Sequence, residues 1–297
     1  MFENKEMKAG ALNSALEAVI PQMEDKDCIL IMDADTSLSE NLIERSILKF
    51  DESPHVGAVG SIFTARKTSS PLGLLQSMEF WRYKRQIHRN GDRAFVLSGT
   101  ASMFLVGTLK AVREARHNNT LPYGGGSYYD TLGLTEDNEL TLAILSLDYD
   151  CPTINAFSVT DVMEKTGALI KQRERWYKGA LVNLKAYGKS LPWYLKWVYW
   201  KQQVGLLASL IFFLLLCALW ATILIVNGEV AVTWLWLIPL GILAFERTFT
   251  VWKLGWKARL MAIFVIPEQF YSILLLLIYG LALKNFVIGR KSQWHQT

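Results

Sequence analysis

The spacing of apolar positions divides the chain near residue 201. Before that point, short apolar runs alternate with amphipathic stretches. After it, apolar residues dominate. Leu12, Ala15, Leu16 and Val19 recur at helical spacing and predict a helix over 8–19. "CILIM", residues 28–32, predicts a strand, and Leu42, Ile43, Ile47 and Phe50 predict a helix over 38–50. A second strand is expected over 57–63, and a long helix over 71–89 whose Pro71 suits a first turn. "FVLSGTASMFLV", residues 95–106, reads as strand, tight turn, strand, and the Gly-rich 123–130 as a flexible loop. Helices are expected over 135–147 and 166–189, with an extended segment from Cys151 between them. Strands alternating with helices point to an α/β layer fold.

The apolar tail reads differently. Residues 204–226 form an uninterrupted apolar run of about 23 residues, enough to cross a bilayer. A shorter run over 230–245 holds Pro239 and is expected to return as a second span. A third, over 260–283, is interrupted by Pro267-Glu268-Gln269. Two to three spans are therefore expected within 204–297. Just before them, Trp193, Trp197 and Trp200 alternate with Lys196 and Lys201, the pattern of an amphipathic helix at the headgroups over 191–203. Residues 251–259 resemble another such helix. The positive-inside rule keeps the globular part, residues 1–190, cytoplasmic. It then conflicts with itself, because Arg247, Lys253, Lys257 and Arg259 ask for the same side as Lys284, Arg290 and Lys291.

Composition agrees with this division. Ten of the 11 Trp lie from Trp176 onward, and Trp favours the lipid–water boundary. A net charge of +4 without a concentrated basic face argues against a nucleic-acid partner. Cys28, Cys151 and Cys217 have neither CxxC nor zinc spacing and read as reduced thiols. "MFENKEMKAG" has no apolar signal core, which places the expected site on the cytoplasmic side of an integral cell or inner membrane protein.

Three short segments carry candidate chemistry. Asp33 and Asp35 follow the 28–32 strand. Residues i and i+2 of a strand share a face, and two carboxylates at a strand end suit Mg²⁺ or Mn²⁺ held jointly with substrate phosphates. The same acids also suit an Asx-turn and a helix cap. Thr135-Glu136-Asp137 opens a helix. Thr135 reads as its cap and the acids as partners of the dipole, or one carboxylate serves as a general base. In "QRERW", Gln172, Arg175 and Trp176 fall at i, i+3 and i+4 on one helix face. An indole for a sugar ring, an amide for hydroxyls and a guanidinium for anionic oxygens suit a sugar phosphate. An interfacial helix explains the same residues.

Taken in order, "DAD", "TED" and "QRERW" resemble the membrane-embedded polysaccharide synthases of glycosyltransferase family 2, such as cellulose, hyaluronan and poly-N-acetylglucosamine synthases. "NKEMKAGALNSAL" looks like that family's Lys-Ala helix beside the nucleotide, and "LSGTASMF" like its acceptor-lining segment. The resemblance implies a GT-A-like catalytic domain followed by transmembrane helices. It implies an inverting transfer from a nucleoside diphosphate sugar, UDP-GlcNAc or UDP-glucose, to a growing polysaccharide at the lipid membrane. Asp33 and Asp35 would serve the metal and diphosphate, Lys8 and Asn13 the nucleotide side. Asp137 would be the base, and Gln172, Arg175 and Trp176 would hold diphosphate and acceptor. Family members place the first strands of the nucleotide fold before the Lys-Ala helix, whereas Met1 falls almost at that helix. A partial catalytic domain is therefore expected, completed by a partner chain or acting as a partner subunit. A lipid-linked single-sugar transferase is a further alternative, which QRERW opposes.

Overall fold

The computed structural model describes residues 7–123, 125–227, 235 and 237–289. Its N-terminal part is one mixed sheet with helices packed on it. The strands are β1 (Cys28–Met32), β2 (Ser37–Leu38), β3 (Ala58–Ala65), β4 (Ala101–Leu105) and β5 (Thr153–Thr160), in the spatial order β1-β4-β3-β5-β2. Only β3 and β5 are parallel, while β4 runs antiparallel to both β1 and β3. β3 is central and buried from Ala58 to Ile62. That explains its continuous apolar run, since a strand covered on both faces needs no polar alternation.

The helices are α1 (Met7–Val19), α2 (Leu42–Asp51), α3 (Pro71–Arg89), α4 (Val106–His117), α5 (Glu136–Ser146) and α6 (Thr166–Tyr187). The main core lies between β4 and helices α1, α4, α5 and α6, with Leu16, Phe104, Leu109, Val112, Leu140, Ile144 and Tyr187 buried in it. Two expectations are corrected. The helix expected from residue 38 begins at Leu42, because Ser37 and Leu38 pair with Val159 and Ser158 of β5. Residues 95–106 are not a hairpin: β4 is their one strand, and Val106 opens α4. The buried Val106, Leu109, Val112 and Ala115 recur every three residues along α4, a helical signal that the strand-like run before it obscured.

Beyond α6, residues 193–227 form one helix, α7 (Trp193–Asn227). The interfacial segment and the first expected span thus run together without a break. At 1.5 Å per residue its 35 residues measure roughly 50 Å, more than the ~30 Å of a hydrocarbon core. No residue in the most apolar part of α7 is buried by the rest of the chain, and only its near side touches α10, where Leu210 lies beside Gly280. Part of the expected second span lies outside the described residues, and α8 (Leu237–Thr250) accounts for the rest. The third run splits at Val265 into α9 (Trp256–Phe264) and α10 (Ile266–Val287). Val265 has φ 58°, uncommon for a β-branched residue, and marks a sharp joint. Two helices, 193–226 and 266–287, are long and apolar enough to cross a membrane. They are packed differently. α10 lies against α6: Tyr271 meets Arg173, Tyr279 meets Tyr177, and Asn285 donates to Glu174 at 2.6 Å.

Candidate active site

Four segments meet around one small cleft: α1, the end of β1, the loop before β4, and the start of α5. Lys8, Ile31, Ser98, Gly99, Glu136 and Asp137 are among its lining residues. Lys8 Nζ lies 2.5 Å from Asp33 Oδ1 and 3.0 Å from Glu136 Oε1. Burial opposes its charge, but the charges of Glu136 and Asp33 outweigh that and raise its pKa.

Backbone geometry fixes the acids. Asp33 N–H donates to Thr100 O at 3.1 Å, and Thr36 N–H donates back to Asp33 O at 3.1 Å. The chain therefore turns at Asp33–Thr36, and the strand-face reading of Asp33 and Asp35 does not hold. Asp33 is half-buried in contact with Lys8 of the cleft. Asp35 is exposed, and its carbonyl accepts from Arg66 Nη2 at 2.7 Å. Asp137 Oδ2 accepts from Gly99 N–H at 3.2 Å and Oδ1 from Asn138 N–H at 2.8 Å. A Cβ on residue 99 would stand 3.2 Å from Asp137 Oδ2 and 3.3 Å from Lys8 Nζ, so a side chain there would press on both groups. Buried hydroxyls steady the Gly99 loop: Ser61 donates to Ala101 O at 2.8 Å, and Ser158 sits 2.8 Å from Ser61 and 3.0 Å from Thr100.

Asp137 is the acid whose chemistry is most altered. Burial, and then the neighbouring charge of Glu136, push its pKa up to about 6 against the pull of the Asn138 and Gly99 N–H groups and Lys8. The α5 cap differs from expectation. Thr135 makes no side-chain cap bond; its Oγ1 accepts from Asn183 Nδ2 at 3.2 Å. Asn183 also reaches Asn138 Oδ1 at 3.0 Å, so α6 clamps the start of α5. Gly179 allows that contact, since a Cβ there would lie 2.5 Å from Thr135 Oγ1.

The QRERW residues enter through α6. Arg175 Nη1 donates to Leu134 O at 3.4 Å, beside the Thr135–Asp137 segment. Gln172 and Trp176 are half-buried. The Asn13 amide is engaged by the protein itself. Its Nδ2 donates to Tyr129 O at 2.9 Å and its Oδ1 accepts from Tyr129 N–H at 2.8 Å, so the amide braces the 123–130 loop. Two further acids support the site region. Glu136 joins Lys8 at the cleft, and Glu79 holds Arg173. Glu136 stood inside the TED segment, whereas Glu79 gave no local signal.

A divalent ion is consistent with the donors present. Lys8 already places a positive charge between Asp33 and Glu136. Among the described residues no three His, Cys, Asp or Glu form a closed cage. One or two carboxylates with the remaining positions open is the arrangement by which Mg²⁺ or Mn²⁺ is held together with substrate phosphates.

Comparison with known proteins bears on this geometry. A poly-beta-1,6-N-acetyl-D-glucosamine synthase of Staphylococcus epidermidis (strain RP62A) is 26% identical over 179 residues, 60% of this chain and 40% of the synthase. The synthase of Staphylococcus aureus (strain COL) is 28% identical over 176 residues, 58% of this chain and 38% of its own. The match thus spans about two fifths of these relatives. A mannosyltransferase from Pyrobaculum calidifontis, solved in complex with GDP-Man and Mn²⁺, superposes with a TM-score of 0.55 at 16% identity. That match covers 94% of this chain and 67% of the other, and shows a shared GT-A-like fold. The model of the glycosyl transferase family group 2 matches residues 28–283. The match runs from the first residue of β1 into the last turns of α10, and the chain therefore belongs to glycosyl transferase family group 2.

Proposed function

We propose that this chain carries the transfer site of an inverting glycosyltransferase acting at a membrane. The donor is a nucleoside diphosphate sugar and the acceptor a growing polysaccharide. The carrying observation is Asp137: a carboxylate at the cleft wall, fixed by two backbone N–H groups, with a pKa of about 6. Such a group is a stronger base than an ordinary carboxylate. It is still roughly nine-tenths ionised at neutral pH, close to the optimum for general-base work.

In this reading Asp137 accepts the proton of the acceptor hydroxyl as its oxygen bonds to the anomeric carbon. The bond from that carbon to the diphosphate breaks with its electron pair on the leaving oxygen. One displacement gives inversion. Lys8 and Arg175 receive the negative charge that develops, and Trp176 offers a ring face to the acceptor sugar. A divalent ion on Asp33, with Asp35 beside it, would neutralise the diphosphate. The names of the staphylococcal relatives favour UDP-GlcNAc as the donor. The outward apolar surface of α7 supports the membrane placement.

The test is incorporation of radiolabelled UDP-GlcNAc by membranes containing the chain, with GDP-mannose and UDP-glucose in parallel. Polymer-bound label from UDP-GlcNAc that disappears in Asp137→Asn is the expected result. Label that persists at the wild-type rate in the variant ends the proposed mechanism.

A further inference from the structure

Four basic side chains on one side of the body have no acid beside them. Lys84 of α3, Lys253 in the turn before α9, and Lys257 and Arg259 of α9 have no carboxylate oxygen within 4.0 Å among the described residues. Arg82 and Arg85 of α3 and Arg247 of α8 do. Arg82 lies 2.7 Å and Arg247 3.1 Å from Glu268, and Arg85 lies 3.9 Å from Glu246. Three of the four lie over aromatic rings instead. The Arg259 guanidinium is 4.1 Å from the centre of Trp252, and Lys84 Nζ is 4.2 Å from Phe157 and 5.2 Å from Trp81. Lys257 Nζ stands 5.9 Å from Trp256. Burial, and then the charge of Lys253, lower the pKa of Lys84, so the two cations lie within electrostatic reach of each other.

The helix beside them is inside-out for a water-soluble body. α9 packs its small side, Ala258 and Ala262, against Met78 and Val251. Outward it shows Trp256, Leu260, Ile263 and Phe264, from 46% to 68% exposed. This apolar surface continues onto α8, where Phe245 and Phe249 are also exposed. Cations and indoles at the edge of an aliphatic face match a bilayer: phosphates at the rim, ring systems at the boundary, acyl chains beneath.

We propose that Lys84, Lys253, Lys257 and Arg259 form a binding surface for the phosphate headgroups of anionic phospholipids. Trp252 and Trp256 sit at the headgroup boundary, and Leu260, Ile263 and Phe264 reach the acyl region. The surface would seat the catalytic body on a negatively charged leaflet. It rests on the membrane placement of α7 proposed above, and the test keeps the two apart.

The full chain is purified in detergent and mixed with phosphatidylglycerol or phosphatidylcholine, and lipid adducts are counted by native mass spectrometry. The wild type is expected to retain phosphatidylglycerol at concentrations where phosphatidylcholine is lost. Each basic residue near an anionic surface is worth about fivefold in affinity. Lys253→Gln with Lys257→Gln, both exposed, should therefore weaken retention about 25-fold, and adding Lys84→Gln and Arg259→Gln should abolish the preference. Lys253→Arg with Lys257→Arg should keep it. All variants should remain in the pellet on carbonate extraction; loss from the pellet would mean that the placement of α7 is wrong. Equal retention of the two lipids by the wild type, or wild-type retention by the fourfold variant, overturns the proposal. So does displacement of phosphatidylglycerol by equimolar inorganic phosphate, which would mark a pocket for soluble anions.

Discussion

The guanidinium of Arg173 lies 4.7 Å from the centre of the Trp176 indole, one turn further along α6. Glu79 of α3 grips that guanidinium with two bonds of 2.8 Å, and Tyr271 of α10 donates to Glu79 at 2.6 Å. The indole expected to meet the acceptor thus rests on a cation held by two other helices. A bidentate carboxylate–guanidinium pair of this kind is geometry-specific, and lysine does not replace it. Arg173→Lys and Glu79→Gln should each lower the thermal midpoint in detergent. The double variant should fall little further than the worse single one, with a coupling of about 1–3 kcal/mol. Additive losses would mean that the pair does not act as a unit.

Asp137→Asn separates catalysis from stability. Loss of a positioned base costs about 10²–10⁴-fold in rate. The folded pKa of about 6 lies above the ordinary 3.8, so the folded chain holds this proton more tightly than the unfolded chain. That stabilising contribution is complete below about pH 4 and is lost as the pH rises through about 6. At neutral pH the wild type carries a buried charge that the variant lacks. The variant should therefore melt no earlier than wild type near pH 7, while transferring sugar far more slowly. An earlier melt at a near-normal rate would make Asp137 only a structural acid of the first helical turn.

The pH dependence of turnover follows from the same group. The base works only when ionised, so kcat/KM should rise about tenfold per pH unit below about 6 and level off above it. In Asp137→Asn the residual rate should lose that limb. A wild-type inflection near the ordinary carboxylate range would contradict the assignment.

Asp33 and Asp35 should contribute unequally to metal-dependent nucleotide binding. Asp33 is half-buried in contact with Lys8 of the cleft, whereas Asp35 is exposed two residues on in the same turn. In calorimetry with UDP and Mn²⁺, Asp33→Asn should remove most of the metal-dependent heat and Asp35→Asn less. If neither changes it, the nucleotide does not bind through a metal at this turn.

Cys217 reports on α7. The three thiols are a half-buried Cys28, a buried Cys151 and an exposed Cys217. With Cys28 and Cys151 replaced by Ser, a membrane-impermeant maleimide should fail to label Cys217 in intact membranes, because lipid covers it. Rapid labelling from either side would place this stretch of α7 in water.

What the sequence determined is mostly local. The periodicity of α1, α3 and α6 and the apolar runs of β1 and β3 were legible because side chains that repeat every turn, or fill a buried strand, leave their spacing in the chain. The apolar run within α7 was legible because an apolar stretch of that size has few other uses in water, but its fusion with the Trp-rich segment before it into one helix was not. The ordered acids and QRERW marked the site region. Tertiary structure decided what those residues touch. Nothing near Asn13 in the chain showed that the Tyr129 backbone takes both ends of its amide. Thr135 looked like a cap until Asn183 claimed its hydroxyl. Glu79 was invisible, since its partner lies 94 positions away on another helix. The basicity of Asp137 arises because the fold shields its carboxylate from water and sets Glu136 beside it, which together outweigh the opposing pull of Lys8 and the Gly99 N–H. Hydrophobic period is a property of neighbours along the chain, whereas desolvation and hydrogen-bond partnership are properties of neighbours in space. Only the packed sheet and helices set the latter.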